Sequence, residues 1–203
     1  MRKMIKIAAI LCFSAVLLQL IVLMGQNHRI KDNLIRLHVV ANSNEQYDQD
    51  LKLIVKDEIV SYLQSEMQNI ESVDRARSFL KENLERLQVL ASQKIISSGY
   101  SYPVEVSLEE ESFGRRDYET FSLPAGVYES LRIKIGSGEG RNWWCVTFPS
   151  LCVPATGEDF VTAAVSNGFD EETVRCFSDP DTYRFRFFLL EQLGKLEIFL
   201  KRK

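Results

Sequence analysis

The chain has 203 residues and carries 25 Lys and Arg against 28 Asp and Glu, a net charge of −3. Setting aside Arg2, Lys3 and Lys6, which precede a long apolar run, leaves 22 cationic side chains against 28 acidic ones and a net of −6. That balance argues against a nucleic-acid partner and against a polybasic membrane patch.

The apolar run extends from Ile7 to Met24, eighteen residues interrupted only by Cys12, Ser14 and Gln19. At about 1.5 Å per residue it covers most of a hydrocarbon core roughly 30 Å thick. Residues 1–25 therefore form a membrane-targeting segment, either a signal peptide or an anchor. Leu23 and Gly25 occupy the best positions for a peptidase to read, and leucine fits poorly, which favours an uncleaved anchor. The cationic bias across the segment, toward a cytoplasmic N-terminus, is slight. Nothing later in the chain is apolar enough to span a bilayer, so residues 26–203 are expected outside the cytoplasm, tethered or released. They amount to about 178 residues, one ordinary globular domain.

The first element of that domain is IRLHVVANSN, a buried, β-branched run from Ile35 that stops at Asn42 and Ser43. Ser43 and Gln46 have capping-box spacing ahead of a helix over residues 45–68, whose apolar face is Leu51, Val55, Ile59, Leu63 and Met67. On that helix Asp48, Asp50, Asp57 and Glu58 read as a solvated face with favourable N-terminal charge. A second helix is predicted from an N-cap at Ser72 to Gly99, with Val73, Ala76, Leu80, Leu84, Leu87 and Ala91 on one face. The short connection makes the two helices antiparallel neighbours.

Beyond Pro103 the pattern alternates. Val104, Val106 and Leu108 interleave with Glu105, Ser107 and Glu109, and residues 118–123 continue in the same manner, as half-exposed strands do. Residues 127–135 form a further strand. The loop Gly136-Ser137-Gly138-Glu139-Gly140 then reads as a hairpin turn to a tryptophan strand, because a phosphate cradle would open onto a helix N-terminus. Residues 160–167 and 171–177 are short helices or irregular. A closing helix over residues 183–201 presents Phe185, Phe188, Leu189, Leu193, Leu196 and Leu200. The fold class is α/β or α+β: a single domain with a mostly antiparallel sheet and helices on at least one face.

Residues 138–152, GEGRNWWCVTFPSLC, concentrate the costly residue types. Trp143 and Trp144 are the only tryptophans, and adjacent side chains on a strand point to opposite faces. One ring is expected to enter the core, while the other either lies on the surface beside Arg141 and Asn142, as a binding hot spot would, or packs internally as well, leaving the segment a stapled corner. Pro149 and Ser150 make a turn that lets Cys145 and Cys152 approach. An oxidising location would favour their disulfide, and a loop that short stabilises by about 2.5 kcal/mol; Cys176 remains an alternative partner. The scattered cysteines and the histidines His28 and His38 lack metal-ligand spacing. His38, with Asn42, Ser43 or an acidic partner, offers the one catalytic alternative, that of an exported hydrolase acting on cell wall or peptide.

IRLHVVANSNEQYDQDLKL at residues 35–53, together with GEGRNWWCVTFPSLC, resembles the stage II sporulation protein R family of endospore-forming bacteria. The resemblance spans essentially the whole exported part in the same order. It implies a signalling protein and not an enzyme, with no cofactor and no small-molecule substrate. Such a protein is exported from the forespore into the space facing the mother cell. There it activates a membrane-embedded aspartic protease that processes the sigma factor E precursor. The contact residues expected from the sequence are Arg141, Asn142, Trp143 and Trp144, joined by His38 and Asn42.

Overall fold

The computed structural model describes residues 2–118, 121–149, 164–165 and 171–201. Helix α1 spans Arg2–Asp32. Every described side chain of α1 from Arg2 to Gly25 is exposed, whereas Lys31 is buried and pairs with Glu197. Among its described side chains, α1 meets the domain at its C-terminal end. Among the described residues no helix is long and apolar enough to cross a membrane, and the membrane reading of Ile7 to Met24 rests on the sequence of that run.

The domain is a mixed α/β unit. Strand β1 (Ile35–Val40) is followed by helices α2 (Gln46–Glu66), α3 (Val73–Glu82) and α4 (Leu84–Ser97), then by strands β2 (Val104–Phe113), β3 (Arg116–Asp117), β4 (Ser122–Leu123), β5 (Gly126–Ile135) and β6 (Asn142–Phe148). Helices α5 (Glu171–Ser178) and α6 (Arg184–Lys201) complete the described chain. Four strands form the main sheet in the order β2-β5-β1-β6, and β3 pairs with β4 in a separate two-stranded ladder. Strand β1 runs parallel to β5 and antiparallel to β6, while β2 and β5 are antiparallel.

All six residues of β1 are buried, as its unbroken apolar run predicts for a strand covered on both faces. Leu37 and Val39 face α2 to α4, where Val55, Ile59, Leu87, Ala91 and Ile95 close the larger core. The five-residue stripe read on α2 is buried throughout. On the opposite face a second cluster gathers Tyr128, Val146, Phe177, Phe187 and Leu190 under α5 and α6.

The structure corrects several expectations. The capping box is not formed: Glu45 is the N-cap of α2 and makes no side-chain cap bond, and the Ser43 oxygen accepts from the Glu45 amide at 3.1 Å while its hydroxyl donates to Asp48. The helix expected over residues 72–99 begins at the Ser72 cap and ends before Gly99 but breaks at Asn83. There the Asn83 side-chain amide donates to the Phe79 carbonyl at 2.8 Å and competes with the backbone ladder. Of the described residues within 118–123, only Ser122 and Leu123 are in a strand, β4.

Strands β5 and β6 do not form a hairpin, since β1 lies between them. Most of residues 160–167 lie outside the described set; residues 171–178, left open by the sequence, are helical as α5. Finally, α6 buries Phe187, Leu190 and Gly194; of the expected face Leu189 and Leu193 are half-buried against the second cluster, whereas Phe185, Phe188, Leu196 and Leu200 are exposed.

Gly194 sets the seat of α6. A Cβ there would lie 1.6 Å from the Ala125 carbonyl oxygen, so only glycine allows the helix this close to the start of β5. Gly194→Ala is expected to lower stability by about 1–3 kcal/mol, the usual cost of overpacking, read as a lowered urea midpoint at unchanged slope.

Candidate functional site

The two sequence motifs meet in space. Along the β1–β6 ladder His38 opposes Trp144, Val39 opposes Trp143 and Val40 opposes Asn142. The alternation of β6 sends the indoles to opposite sides, as expected. Trp143 packs against the helix-side core with the Lys56 ammonium 5.1 Å from its ring. Trp144 joins the second cluster. Neither ring lies free, for both are half-buried. Trp144 is stacked on His38, with centroids 5.6 Å apart and planes inclined by 20°, and the Arg116 guanidinium sits 3.5 Å over its ring. The side chains that project from this end of β6 are Arg141 and Asn142, both exposed.

His38 is fixed by Glu111 of β2. Its Nδ1 lies 3.0 Å from both carboxylate oxygens, and an ionised carboxylate only accepts, so Nδ1 carries the proton. Nε2 is buried without a hydrogen-bond partner among the described residues. A general base needs its reacting group within hydrogen-bond reach, and Asn42 and Ser43 are not there. They sit beyond the C-terminal end of β1, engaged with Asp48. The structure therefore supplies His38 with an acidic partner but does not bring the other two residues to it.

Around the end of β1 the glycine loop closes as a clasp. The Asn42 side-chain oxygen accepts from the Ser137 amide at 3.0 Å, and the Asn42 carbonyl accepts from the Ser137 hydroxyl at 2.7 Å and the Glu139 amide at 3.1 Å. Gly140 N–H donates to the Ala41 carbonyl. Gly136 has φ +59°, and a Cβ on it would stand 2.2 Å from the Asn42 side-chain oxygen. Asn42 also donates to Asp48 at 2.8 Å and Ser43 donates to the same oxygen at 2.6 Å. Asp48 is thus buried at 1% exposure, which corrects its reading as part of a solvated face. Lys52, also buried, donates to the Arg141 carbonyl at 3.0 Å and to Gln49 at 2.8 Å. Burial, followed by the Arg141 charge, holds its ammonium below the ordinary lysine range. The backbone of Arg141 is therefore anchored while its side chain projects.

Sequence reasoning missed Glu111, Arg116 and Arg36. Arg36 is fully buried, donates to the Tyr118 hydroxyl at 2.7 Å and lies 4.0 Å from the Phe113 ring centroid. A cation inside an otherwise apolar strand run was the available signal for it. Cys145 carries a free thiol, buried in the core beside its ladder partner Leu37, and Cys152, its expected partner, lies outside the described residues. Among the described residues no group of three or more His, Cys, Asp or Glu could hold a metal ion.

The fold and site define a mixed α/β domain that presents a clasped strand end and an exposed arginine. The family model described as Stage II sporulation protein R matches residues 31–157, and the chain belongs to this family. It is 34% identical over 123 residues to the Stage II sporulation protein R of Bacillus subtilis (strain 168), covering 61% of this chain and 55% of that protein. The chain thus spans about half the length of this curated relative. No solved structure matches.

Two carboxylates, the buried Asp48 and the partly buried Glu111, tie the site to pH. For Asp48 desolvation raises the pKa, but the bonds from Ser43 and Asn42 outweigh it and hold the group below its ordinary 3.8. For Glu111 desolvation again opposes, and the His38 hydrogen bond holds the carboxyl below its ordinary 4.5. A depressed native value means that the unfolded state binds more protons, so the stabilisation is complete above the unfolded values and disappears as pH falls through the native ones. Denaturant midpoints should fall between about pH 5 and about pH 3, and Asp48→Asn should flatten that fall while lowering the neutral-pH midpoint.

Proposed function

We propose that this chain is an exported signal of endospore formation. In this reading it acts in the space between forespore and mother cell, held by or released from the forespore membrane. It binds the outward face of a membrane-embedded aspartic protease in the facing membrane, and the activated protease then processes the sigma factor E precursor. The family membership supports a sporulation role; the protease and its precursor are what the resemblance to that family implies, and the contact surface is our reading of the site.

The observation that carries it is the placement of the clasp. Helix α1 enters at the N-terminal end of β1, and Asn42, Arg141 and Asn142 surround its other end, about 20 Å further at roughly 3.3 Å per residue. A domain held by one membrane through α1 would present that end toward whatever lies opposite. Arg141 and Asn142 supply exposed polar contacts, and the half-buried Trp143 and Trp144 supply rigid apolar edges. Activation requires tighter binding to the active form of the protease than to the inactive one.

The hydrolase alternative is favoured by one observation, the Glu111–His38 pair. His38→Gln separates the two readings: a hydrolase loses activity outright, whereas a ligand that still folds keeps it. For the signalling reading, Arg141→Ala, Trp143→Ala and Trp144→Ala are made singly in exported protein shown to be folded, and precursor cleavage is followed. Truncating a contact hot spot should cost about 2 kcal/mol, roughly 30-fold in apparent affinity, at Arg141 and in at least one of the tryptophans. Wild-type cleavage in all three variants would remove this surface from the mechanism.

A further inference from the structure

Helix α6 is apolar on two opposite sides. Through one it docks with Phe187, Leu190 and Gly194. On the other, Phe185, Phe188, Leu196, Phe199 and Leu200 are 75, 52, 54, 60 and 62% exposed. With 3.6 residues per turn these five fall within an arc of about 120°, centred directly opposite the docked face. A stripe of five large apolar side chains on one helix face marks a surface that meets something apolar. Helix α6 lies outside the residues matched by the family model, and the stripe is separate from the clasp.

The neighbour of α6 indicates what covers it. Helix α1 packs against α6 and β5, and its buried Lys31 pairs with Glu197 of α6. The same α1 carries an uncovered apolar rod, with Ile7, Ile10, Leu11, Phe13, Leu18 and Ile21 all more than half exposed. Two bare apolar surfaces, one rod and one stripe, are therefore joined in a single module. A second copy seated on the stripe would leave the rod uncovered. A bilayer covers both.

We propose that the outward face of α6 lies in the headgroup–acyl boundary of the bilayer that α1 enters, so that the domain rests on that membrane through α6 as well as being tethered by α1. The proposal rests on the anchor reading of α1. Three phenylalanines and two leucines on one arc, with Arg184 and Lys195 exposed along its flank, have the chemistry of a helix lying in an interface plane. The net charge of the domain is negative, so apolar burial and not electrostatic attraction to anionic lipid drives the contact.

The test uses the full chain reconstituted in vesicles of phosphatidylglycerol and phosphatidylethanolamine, with the photo-crosslinker benzoylphenylalanine placed singly at Phe188, Phe199, Leu11 and Val89. Val89, on α4, is 53% exposed and serves as the solvent control. Lipid adducts at Phe188 and Phe199 several-fold above the Val89 level are expected and would support the proposal. Adducts at the Val89 level, or adducts to a second copy of the chain in place of lipid, would overturn it. Leu11 reports separately on the anchor: lipid adducts there without any at Phe188 or Phe199 sink the α6 contact alone, and their absence at Leu11 sinks the anchor reading.

Discussion

The arrangement depends on holding two sequential strands apart. Strands β5 and β6 are joined by a short glycine-rich loop and would ordinarily close on one another, yet β1 runs between them. Asn42 makes this possible. Its carbonyl and side-chain oxygen accept bonds from Ser137 and Glu139, so the loop straddles the strand end and its polar groups stay satisfied. The side-chain amide of the same residue donates to Asp48, which ties the first turn of α2 to the clasp. One residue thus sets the spacing of three strands and the start of a helix. The exposed Arg141 and Asn142 follow directly from the loop it holds.

The sheet has two unlike faces, and β1 writes both. Its odd-numbered residues, Ile35, Leu37 and Val39, enter the helix-side core. Two of its even-numbered ones, Arg36 and His38, pair with groups from distant segments: Phe113 and Glu111 of β2, Tyr118 after β3 and Trp144 of β6. Apolar packing alone tolerates some slippage, whereas a buried guanidinium or imidazole has few acceptable partners. A shift of one residue would send both into the apolar core. These polar contacts therefore select the register that brings His38 opposite Trp144. The same contacts rigidify the strand end beside Arg141 and Asn142.

Much of this was legible from periodicity. The buried run of β1, the α2 stripe, the Ser72 cap and the opposed indoles all follow from local pattern, which packing then obeyed. What was not legible depends on partners far apart in the chain. A glycine loop between two strands looks the same whether or not a third strand fills the gap. Asp48 has the sequence signature of an exposed helix carboxylate and is buried only because Asn42 and Ser43 turn toward it. Helix α6 misleads for a different reason: with Phe187 and Leu190 on one side and Phe185, Phe188 and Leu196 on the other, its pattern contains two apolar faces and only the seat at Gly194 decides between them. The faces of Trp144 are covered by His38, which its ladder position implies, and by Arg116, which nothing local to either motif announces.

A ligand that works by binding and an enzyme that works by turnover differ most plainly in stoichiometry. The decisive measurement is a titration of the full chain into reconstituted membranes holding the aspartic protease and its sigma factor precursor, with cleavage followed over time. The account predicts a rate that rises with the amount of chain and saturates as a binding isotherm when the protease is fully occupied. Complete cleavage driven at full rate by a trace of chain, far below the amount of protease present, would contradict it.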